Sequence, residues 1–234
     1  MCEHFSRDLF PKNAHAIKVG LSRVPKINIA LITDLVRDYG PENEFRTLKD
    51  LNAVKDQGVV GIGIGGSEHK FPPEPFQALY EEARRMGFRT TAHAGEAAGS
   101  DSIWGAINHL RVDRIGHGTR AKDDPKLIDY LAEHQIPVEL CPMSNIRTGI
   151  VDFISDRPIR EYFRRGLTIS VNTDDPKMFE TSLDEEYRLL ELECGFTKEE
   201  ICKIILLGVQ SSWLSKEGKK SLAESFMAEP SWIE

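Results

Sequence analysis

Histidine and carboxylate residues recur where the short apolar runs of this sequence end. RTTAHA ends just after His93 and is followed by Glu96, RIGHG places His117 between two glycines, and TISVNTDD ends in Asp174 and Asp175. Imidazole and carboxylate groups are usual ligands of catalytic zinc, and a neighbouring carboxylic acid can move protons for a metal-activated water. If these segments share one cavity, they form the constellation of a metal-dependent hydrolase.

Each segment taken alone also has a structural interpretation. HAGE could be a strand-to-helix junction with a capping glutamate, RIGHG could hold a packing histidine, and NTDDP could be a helix cap followed by a turn. Adjacent carboxylates repel each other, so one of Asp174 and Asp175 normally needs a cation or a hydrogen-bond donor. A metal ligand beside a ligand-binding carboxylate meets that need for both residues.

Other catalytic classes lack their signatures here. The sequence has no G-x-S-x-G elbow of a serine hydrolase and no P-C-x-x-C run of the cytidine-deaminase type of zinc enzyme. Cys141, in CPMSN, lacks the surroundings of a thiol nucleophile, and a structural role is favoured for that segment. The four cysteines form no C-x-x-C pair, which is typical of reduced, packed thiols.

A glycine-rich run, GIGIGGSE, spans residues 61–68. It lacks the G-K-[ST] of a P-loop, and its glycines do not match the dinucleotide fingerprint in register before a helix. Exposed backbone at Gly66 would instead suit a flat ring lying against it. Glu68 and His69 lie just beyond Gly66 and are expected to be solvated residues at the mouth of the site.

Short apolar runs alternate with amphipathic stretches from residue 27 onward. Nearly continuous Val, Ile and Leu predict strands buried on both faces, and the alternation predicts a parallel α/β fold. A helix is predicted at about 182–193, and the T-x-x-E of Thr197 and Glu200 predicts a capping box at the start of another. The predicted strands are 27–36, 59–66, 89–94, 114–118, 137–142 and 168–174.

The polar or glycine residues that terminate these runs lie 24 to 30 residues apart, which is about the length of one βα unit. They are Arg37, Gly66, His93, His117, Ser144 and Asp174. Candidate groups at the carboxyl ends of five consecutive strands favour an eight-fold barrel over an open sheet, which binds ligands at a single switch point. We count about six of the eight βα units. The prediction is therefore an incomplete TIM-type (β/α)8 barrel.

The charge and the apolar runs of the sequence indicate which ligands and which location to expect. Thirty Lys and Arg against 37 Asp and Glu leave a formal charge of −7, which argues against a nucleic-acid binder and suits a small molecule. No run approaches the roughly 18 apolar residues of a membrane helix. MCEHFSRDLF has no apolar core of a secretory signal, so a cytoplasmic protein is expected.

Five motifs carry a family resemblance. GIGIGGSE, TAHAGE, RIGHG, ELCPMSN and NTDDP, in this order and at these intervals, resemble the adenosine deaminase family of metal-dependent amidohydrolases. SLDEEY, at 182–187, is similar to the family's segment after the last strand, and the likeness covers roughly residues 27–215. The resemblance implies a zinc-dependent attack of water on purine C6, which turns adenosine into inosine and ammonia.

The resemblance also implies roles for single residues. His93 and Asp174 would be Zn²⁺ ligands. Glu96 would be the proton donor to the purine ring, and His117 would orient the attacking hydroxide and help to deprotonate it.

Two further residues would bind the substrate. The resemblance implies that the backbone of Gly66 contacts the purine and that Asp175 hydrogen-bonds its imidazole side. Relatives that deaminate adenine or aminodeoxyfutalosine have similar motifs, so those substrates stay open beside adenosine.

One departure from the family pattern is the H-x-H pair of its first strand, whose imidazoles bind zinc. This sequence has no H-x-H, and Cys2-Glu3-His4 is the nearest imitation. Two ligands are one fewer than the usual catalytic three. Residues 1–234 are therefore interpreted as one C-terminal portion of a deaminase barrel, which would hold zinc poorly by itself.

The same departure leaves a non-enzymatic alternative, a fragment that binds purines or a partner without turnover. Two open barrel edges would also favour self-association.

Overall fold

Six strands alternate with helices in the computed structural model, which describes residues 10–23, 28–151 and 158–232. Each strand is followed by at least one helix, so the predicted count of six βα units is confirmed. The strands are β1 (Leu31–Val36), β2 (Val59–Gly65), β3 (Arg89–Ala94), β4 (Arg114–His117), β5 (Val138–Leu140) and β6 (Ile169–Val171).

The helices differ widely in length. They are α1 (Phe10–Leu21), α2 (Gly40–Asn52), α3 (Gln77–Arg85), α4 (Ser100–Gly105), α5 (Pro125–His134), α6 (Pro142–Arg147), α7 (Ile159–Arg164), α8 (Leu183–Leu192), α9 (Lys198–Ser211) and α10 (Lys216–Met227). No helix in the described ranges is both long enough and apolar enough to cross a membrane.

The chain forms two compact units, of which the first comprises Met1–Ala92 and Gly105–Val112. Strands β1 and β2 pair in parallel up to Val36 and Gly65, and β2 pairs in parallel with the start of β3. Most of β2 is buried, as its unbroken apolar sequence predicts for a strand covered on both faces. Leu79 and Tyr80 of α3 are fully buried and complete this core.

The second unit comprises His93–Trp104 and Asp113–Glu234. Strands β4, β5 and β6 pair in parallel in chain order, with Gly116 opposite Glu139 and Glu139 opposite Ser170. The apolar face of α5 is fully buried. Since each strand pairs with its neighbour in the chain, the carboxyl ends of these strands lie on one edge. The sequence prediction of a single portion, residues 1–234, stays a prediction.

Side-chain hydrogen bonds cap the starts of two helices, and the capping box predicted at the start of α9 is confirmed. Asp124 caps α5 by accepting from the Lys126 backbone N–H at 3.0 Å, with Pro125 in the first turn. Thr197 and Glu200 form the reciprocal capping box at the start of α9. Such caps satisfy backbone donors that the helix itself leaves unpaired.

Several strands end earlier than their sequences predict. β5 stops at Leu140 because Pro142 begins α6, so Ser144 lies in a helix rather than at a strand end. β6 stops at Val171, three residues before Asp174. Polar residues that turn the chain cannot continue a buried ladder, so the apolar run overestimates strand length. Cys2-Glu3-His4 lies outside the described residues.

The expectation that Glu68 is solvated was wrong, because its side chain is only 4 % exposed. Arg37, at the end of β1, is fully buried. Burial lowers the pKa of Arg37, and the negative charge of Glu68 is the largest influence opposing that shift. A buried guanidinium needs a counter-charge, and Glu68 supplies it.

Glu200 gives a prediction for the pH dependence of stability. One guanidinium nitrogen of Arg160 donates to both Glu200 carboxylate oxygens at 2.8 Å, and this hydrogen bonding lowers the pKa of Glu200. A carboxyl whose folded-state pKa is depressed stabilises the fold above its unfolded pKa, and the effect is lost as the pH falls through the folded value. Glu200→Gln should lower the free energy of unfolding by about 1 kcal/mol at pH 7.

Urea unfolding at several pH values tests this. The difference in the free energy of unfolding between the wild type and Glu200→Gln should disappear below about pH 4. The exposed Glu193→Gln is the control and should match the wild type at pH 7. A gap that persists unchanged at low pH would contradict the assignment to this ion pair.

Candidate functional site

His117 ends β4 in an unusual backbone conformation. Its φ is +61° and that of Gly118 is +59°, so two consecutive residues adopt the left-handed region, which is costly for a residue with a side chain. A Cβ on Gly118 would lie 2.6 Å from Cγ1 of Val138. The turn therefore requires glycine at 118, and it directs an imidazole that is only 2 % exposed.

Three predicted site residues meet at this imidazole, all within the second unit. His117 Nε2 lies 3.6 Å from Glu96 Oε2 and 4.0 Å from Asp174 Oδ2. The ring of His93 lies beside that of His117, with centroids 5.0 Å apart and planes tilted by 38°. The structure thus brings together four of the five residues that the strand-end motifs singled out, and Asp175 is not among them.

The HAGE turn places Glu96 through contacts with the next loop. Gly95 has φ +69°, and a Cβ there would lie 2.4 Å from Ile103 Cδ1. The backbone N–H of Gly118 donates to Ala94 O at 3.0 Å, and that of Arg120 donates to Gly95 O at 2.9 Å. These bonds tie the end of β3 to the loop that follows His117.

Asp174 is held by the turn after β6 and by α6. Its φ is +56°, and its Oδ2 accepts a hydrogen bond from Ser144 Oγ at 2.7 Å. This bond fixes the carboxylate beside His117.

Asn145 orients the imidazole from the opposite side. Its Nδ2 donates to Thr119 Oγ1 at 3.0 Å, and its Oδ1 lies 3.2 Å from His117 Nδ1. With the amide in this orientation, Nδ1 of His117 is the donor and Nε2 is the acceptor; this tautomer is assigned from the hydrogen-bond network.

The ligand-type atoms that meet at His117 suit a divalent cation. In the assigned tautomer, the His117 nitrogen and the Glu96 and Asp174 oxygens that face one another are all acceptors. Converging acceptors repel unless a cation, a proton or a water lies among them. Imidazole with carboxylate is a ligand combination that suits zinc.

Cys141 adds a further ligand-type atom near this point. Across the described ranges, the ligand atoms of His117, Cys141 and Asp174 lie within 4.8 Å of one another. His93 does not belong to that set. Burial, and next the negative charge of Asp174, raise the pKa of the Cys141 thiol. A thiol held protonated is a poor nucleophile, in line with the sequence interpretation.

Asp175 is exposed and faces a turn. Its Oδ1 accepts from the Met178 backbone N–H at 3.1 Å, and its carbonyl accepts from Phe179 N–H at 2.9 Å. The side chain therefore serves as a turn cap, as one sequence alternative had it. A carboxylate oxygen has more than one lone pair, so this does not prevent it from binding a ligand.

Gly66, in the first unit, has a backbone shaped by Asp38. Its φ is +97°, and a Cβ would lie 2.4 Å from Asp38 Oδ2. The Asp38 carboxylate accepts from Ser67 N–H at 2.9 Å and from Ser67 Oγ at 2.6 Å. These hydrogen bonds from Ser67 lower the pKa of Asp38. The carboxylate occupies the space a side chain would need, so the backbone at Gly66 stays bare.

Three supporting residues were not predicted as part of the site. Ser144 and Asn145 belong to CPMSN, for which the sequence favoured a structural role, and they fill that role by holding site side chains. Asp38 had no signal beyond its place just after a strand, because its partner Ser67 is 29 residues away.

The family model for adenosine deaminase matches residues 12–229 of this chain. This match covers most of the sequence and includes every predicted site motif.

Three curated relatives show similar levels of identity. An adenosine deaminase from Shewanella denitrificans is 39 % identical over 84 % of this chain, and an aminodeoxyfutalosine deaminase from Streptomyces avermitilis is 39 % identical over 81 %. An adenine deaminase from Crocosphaera subtropica is 37 % identical over 88 %. The chain spans 59 %, 54 % and 63 % of their respective lengths.

Two solved structures share the fold. Adenine deaminase from Arthrobacter aurescens has a TM-score of 0.85 at 30 % identity, over 90 % of this chain and 64 % of its own. An amidohydrolase from Burkholderia ambifaria with bound Zn also has a TM-score of 0.85 at 30 % identity, over 95 % of this chain and 62 % of its own. These likenesses confirm the predicted fold class, a TIM-type α/β chain with six of eight βα units.

Gly66 and Gly58 form a matched pair for testing the bare backbone. Their φ values are +97° and +98°, but a Cβ at Gly58 would meet nothing within 4 Å. In both alanine variants, backbone strain should lower the free energy of unfolding by about 1–2 kcal/mol. Gly66→Ala should be less stable than Gly58→Ala, because its methyl group displaces the Asp38 carboxylate from Ser67.

Thermal or urea unfolding measures both losses. The extra loss in Gly66→Ala should disappear in the background of Asp38→Ala, since the clash then has no partner. Equal losses for the two single variants would show that the Asp38 carboxylate simply moves away.

Proposed function

The chain belongs to the adenosine deaminase family, and on that premise we propose that it acts in the zinc-dependent hydrolytic deamination of adenosine to inosine and ammonia. The observation that carries this proposal is the buried His117 imidazole, whose Nε2 faces the Glu96 and Asp174 carboxylates at 3.6 and 4.0 Å. An acid, a base and a metal-type ligand set at one point are what hydrolysis of an amidine-like carbon requires.

His93 and Asp174 would hold the metal. Both lie close to His117, and Ser144 fixes the Asp174 carboxylate with a 2.7 Å hydrogen bond. When bound, zinc would lower the pKa of water to about 7, so that hydroxide becomes available at neutral pH. The zinc in the Burkholderia ambifaria amidohydrolase supports this choice of metal.

His117 and Glu96 would move the protons. With Nδ1 donating to Asn145, the Nε2 of His117 is free to accept a proton from the nucleophilic water and to orient it. Glu96, 21 % exposed and 3.6 Å from that nitrogen, would give a proton to the purine ring as negative charge develops there. The bond from oxygen to C6 forms, the proton taken up by His117 passes to the amino nitrogen, the bond from C6 to that nitrogen breaks, and ammonia leaves. The remaining hydroxyl proton returns to Glu96, so that the product carries a carbonyl group at C6.

Two further residues would bind the substrate. We assign the purine contact to the bare backbone of Gly66 and a hydrogen bond with the imidazole side of the purine to Asp175. The exposure of both residues supports access by a ligand.

Adenine and aminodeoxyfutalosine are the alternative substrates. The relatives named for the three substrates are 37–39 % identical to this chain, so similarity alone does not favour one. All three molecules carry the same aminopurine ring, and the chemistry assigned to His117 and Glu96 is the same for each.

Glu96→Gln is the sharpest test of the mechanism. The amide keeps the size of the side chain but has no acidic proton to give, so kcat should fall by about 10²- to 10⁴-fold. Ammonia release from adenosine, adenine and aminodeoxyfutalosine, with zinc added, measures the effect and identifies the substrate.

Two controls accompany this assay. Glu133→Gln, on exposed helix surface, should leave the rate unchanged, and bound zinc should be equal in all three proteins. Unchanged turnover in Glu96→Gln would refute its role. No ammonia from any purine at saturating zinc would favour the non-catalytic alternative for this chain.

A further inference from the structure

We propose that Glu186, on α8, is a positioning residue for the site. Its carboxylate fixes the first turn of α6, and through that turn it sets the orientation of Ser144 and Asn145. As a statement about catalysis this rests on the proposed function, but the positioning itself is a property of the chain without metal or substrate.

Glu186 is fully buried and bridges two segments. Its Oε2 accepts from the backbone N–H of Met143 at 3.1 Å, and its Oε1 accepts from Thr181 Oγ1 at 3.0 Å. A carboxylate with no exposure is costly unless such donors replace the lost water. Its two named partners lie 43 and 5 residues away in the chain.

The contact with Met143 supplies a cap that α6 lacks. Helix α6 has only six residues, and Cys141 at its N-cap position makes no side-chain capping bond. The first N–H groups of a helix have no partner within it, and their partial positive charge favours an anion. Glu186 therefore replaces the missing local cap from another helix.

The first turn of α6 leads directly to the site. Ser144, the residue after Met143, donates to Asp174 Oδ2 at 2.7 Å. Asn145, the next residue, places Oδ1 3.2 Å from His117 Nδ1. A rotation of this turn would move both hydrogen bonds together. The Glu186 carboxylate therefore positions both the Asp174 carboxylate and the His117 imidazole.

The contact with Thr181 holds the other side of the same carboxylate. Thr181 ends the segment that begins at Asp174, and its N–H donates to Pro176 O at 3.2 Å. Glu180, just before it, has φ +48°, a conformation that needs support from its surroundings. Glu186 thus links α6 to the turn that carries Asp174.

Two substitutions of Glu186 separate positioning from simple packing. In Glu186→Gln the amide oxygen can still accept from Met143 N–H, and the amide nitrogen can donate to the Thr181 hydroxyl oxygen. In Glu186→Leu neither bond is possible. Glu191→Gln and Glu191→Leu, on the exposed face of the same helix, are the matched controls.

The first measurement is the NMR spectrum of the metal-free chain. In Glu186→Leu the signals of the Met143 amide, the Asn145 side chain and the His117 ring should shift. In Glu186→Gln and both controls they should stay near their wild-type positions. A folded Glu186→Leu with wild-type signals at Asn145 and His117 would overturn the proposal.

The second measurement is zinc affinity, by competition with a chromophoric chelator. Loss of a group that orients metal ligands typically costs 10- to 100-fold, so Glu186→Leu should bind zinc that much more weakly and Glu186→Gln within about threefold of the wild type. Equal affinity in Glu186→Leu and the wild type would contradict control of Asp174 by Glu186.

A third variant covers the case in which Glu186→Leu does not fold. Thr181→Val removes one bond to the carboxylate and keeps the size of the side chain, and it should shift the Asn145 and Asp174 signals. Unchanged signals there would overturn the proposal. If these shifts appear but no purine is deaminated, the positioning stands and the proposed function fails.

Discussion

The meeting of acceptor atoms at the His117 imidazole is the constraint on which the site depends. Nε2 lies within 4.0 Å of two carboxylates, and the imidazole is almost completely buried. In water these acceptor groups would move apart, so hydrogen bonds from other residues must hold the imidazole and the carboxylates in place. Asn145 holds the ring, and Ser144 holds Asp174. A site with this electrostatic strain is suited to a cation.

The turns at the strand ends are conformationally strained. His117 and Asp174 both have positive φ although neither is glycine, and each such residue costs of order 1–3 kcal/mol. Gly118 follows His117 and Gly95 precedes Glu96, and a Cβ at these glycines would come within 2.6 and 2.4 Å, respectively, of an apolar side chain. Tight packing therefore holds the strained backbone in place, and the strained backbone aims the side chains.

Much of the fold could be predicted from the sequence because its signals are local. Apolar runs, the Asp124 cap and the Thr197–Glu200 capping box depend on neighbours within a few residues. Apart from strand ends that were predicted too late, the error concerns a contact between distant segments. Glu68 follows a glycine-rich loop and was expected to be solvated, but the buried charge of Arg37 draws it inward. No pattern around Glu68 reports a guanidinium that lies 31 residues earlier in the sequence.

The sequence by itself determined which residue types stand at the strand ends, and the resemblance of its five motifs predicts the family. Period and spacing predict that these residues share one edge, because a parallel βα chain brings successive strand ends together. Only the tertiary structure decided the tautomer of His117, the orientation of Asp174 and the burial of Glu186. These depend on hydrogen bonds between residues about 30 or 40 positions apart, and such bonds exist only once the helices have packed.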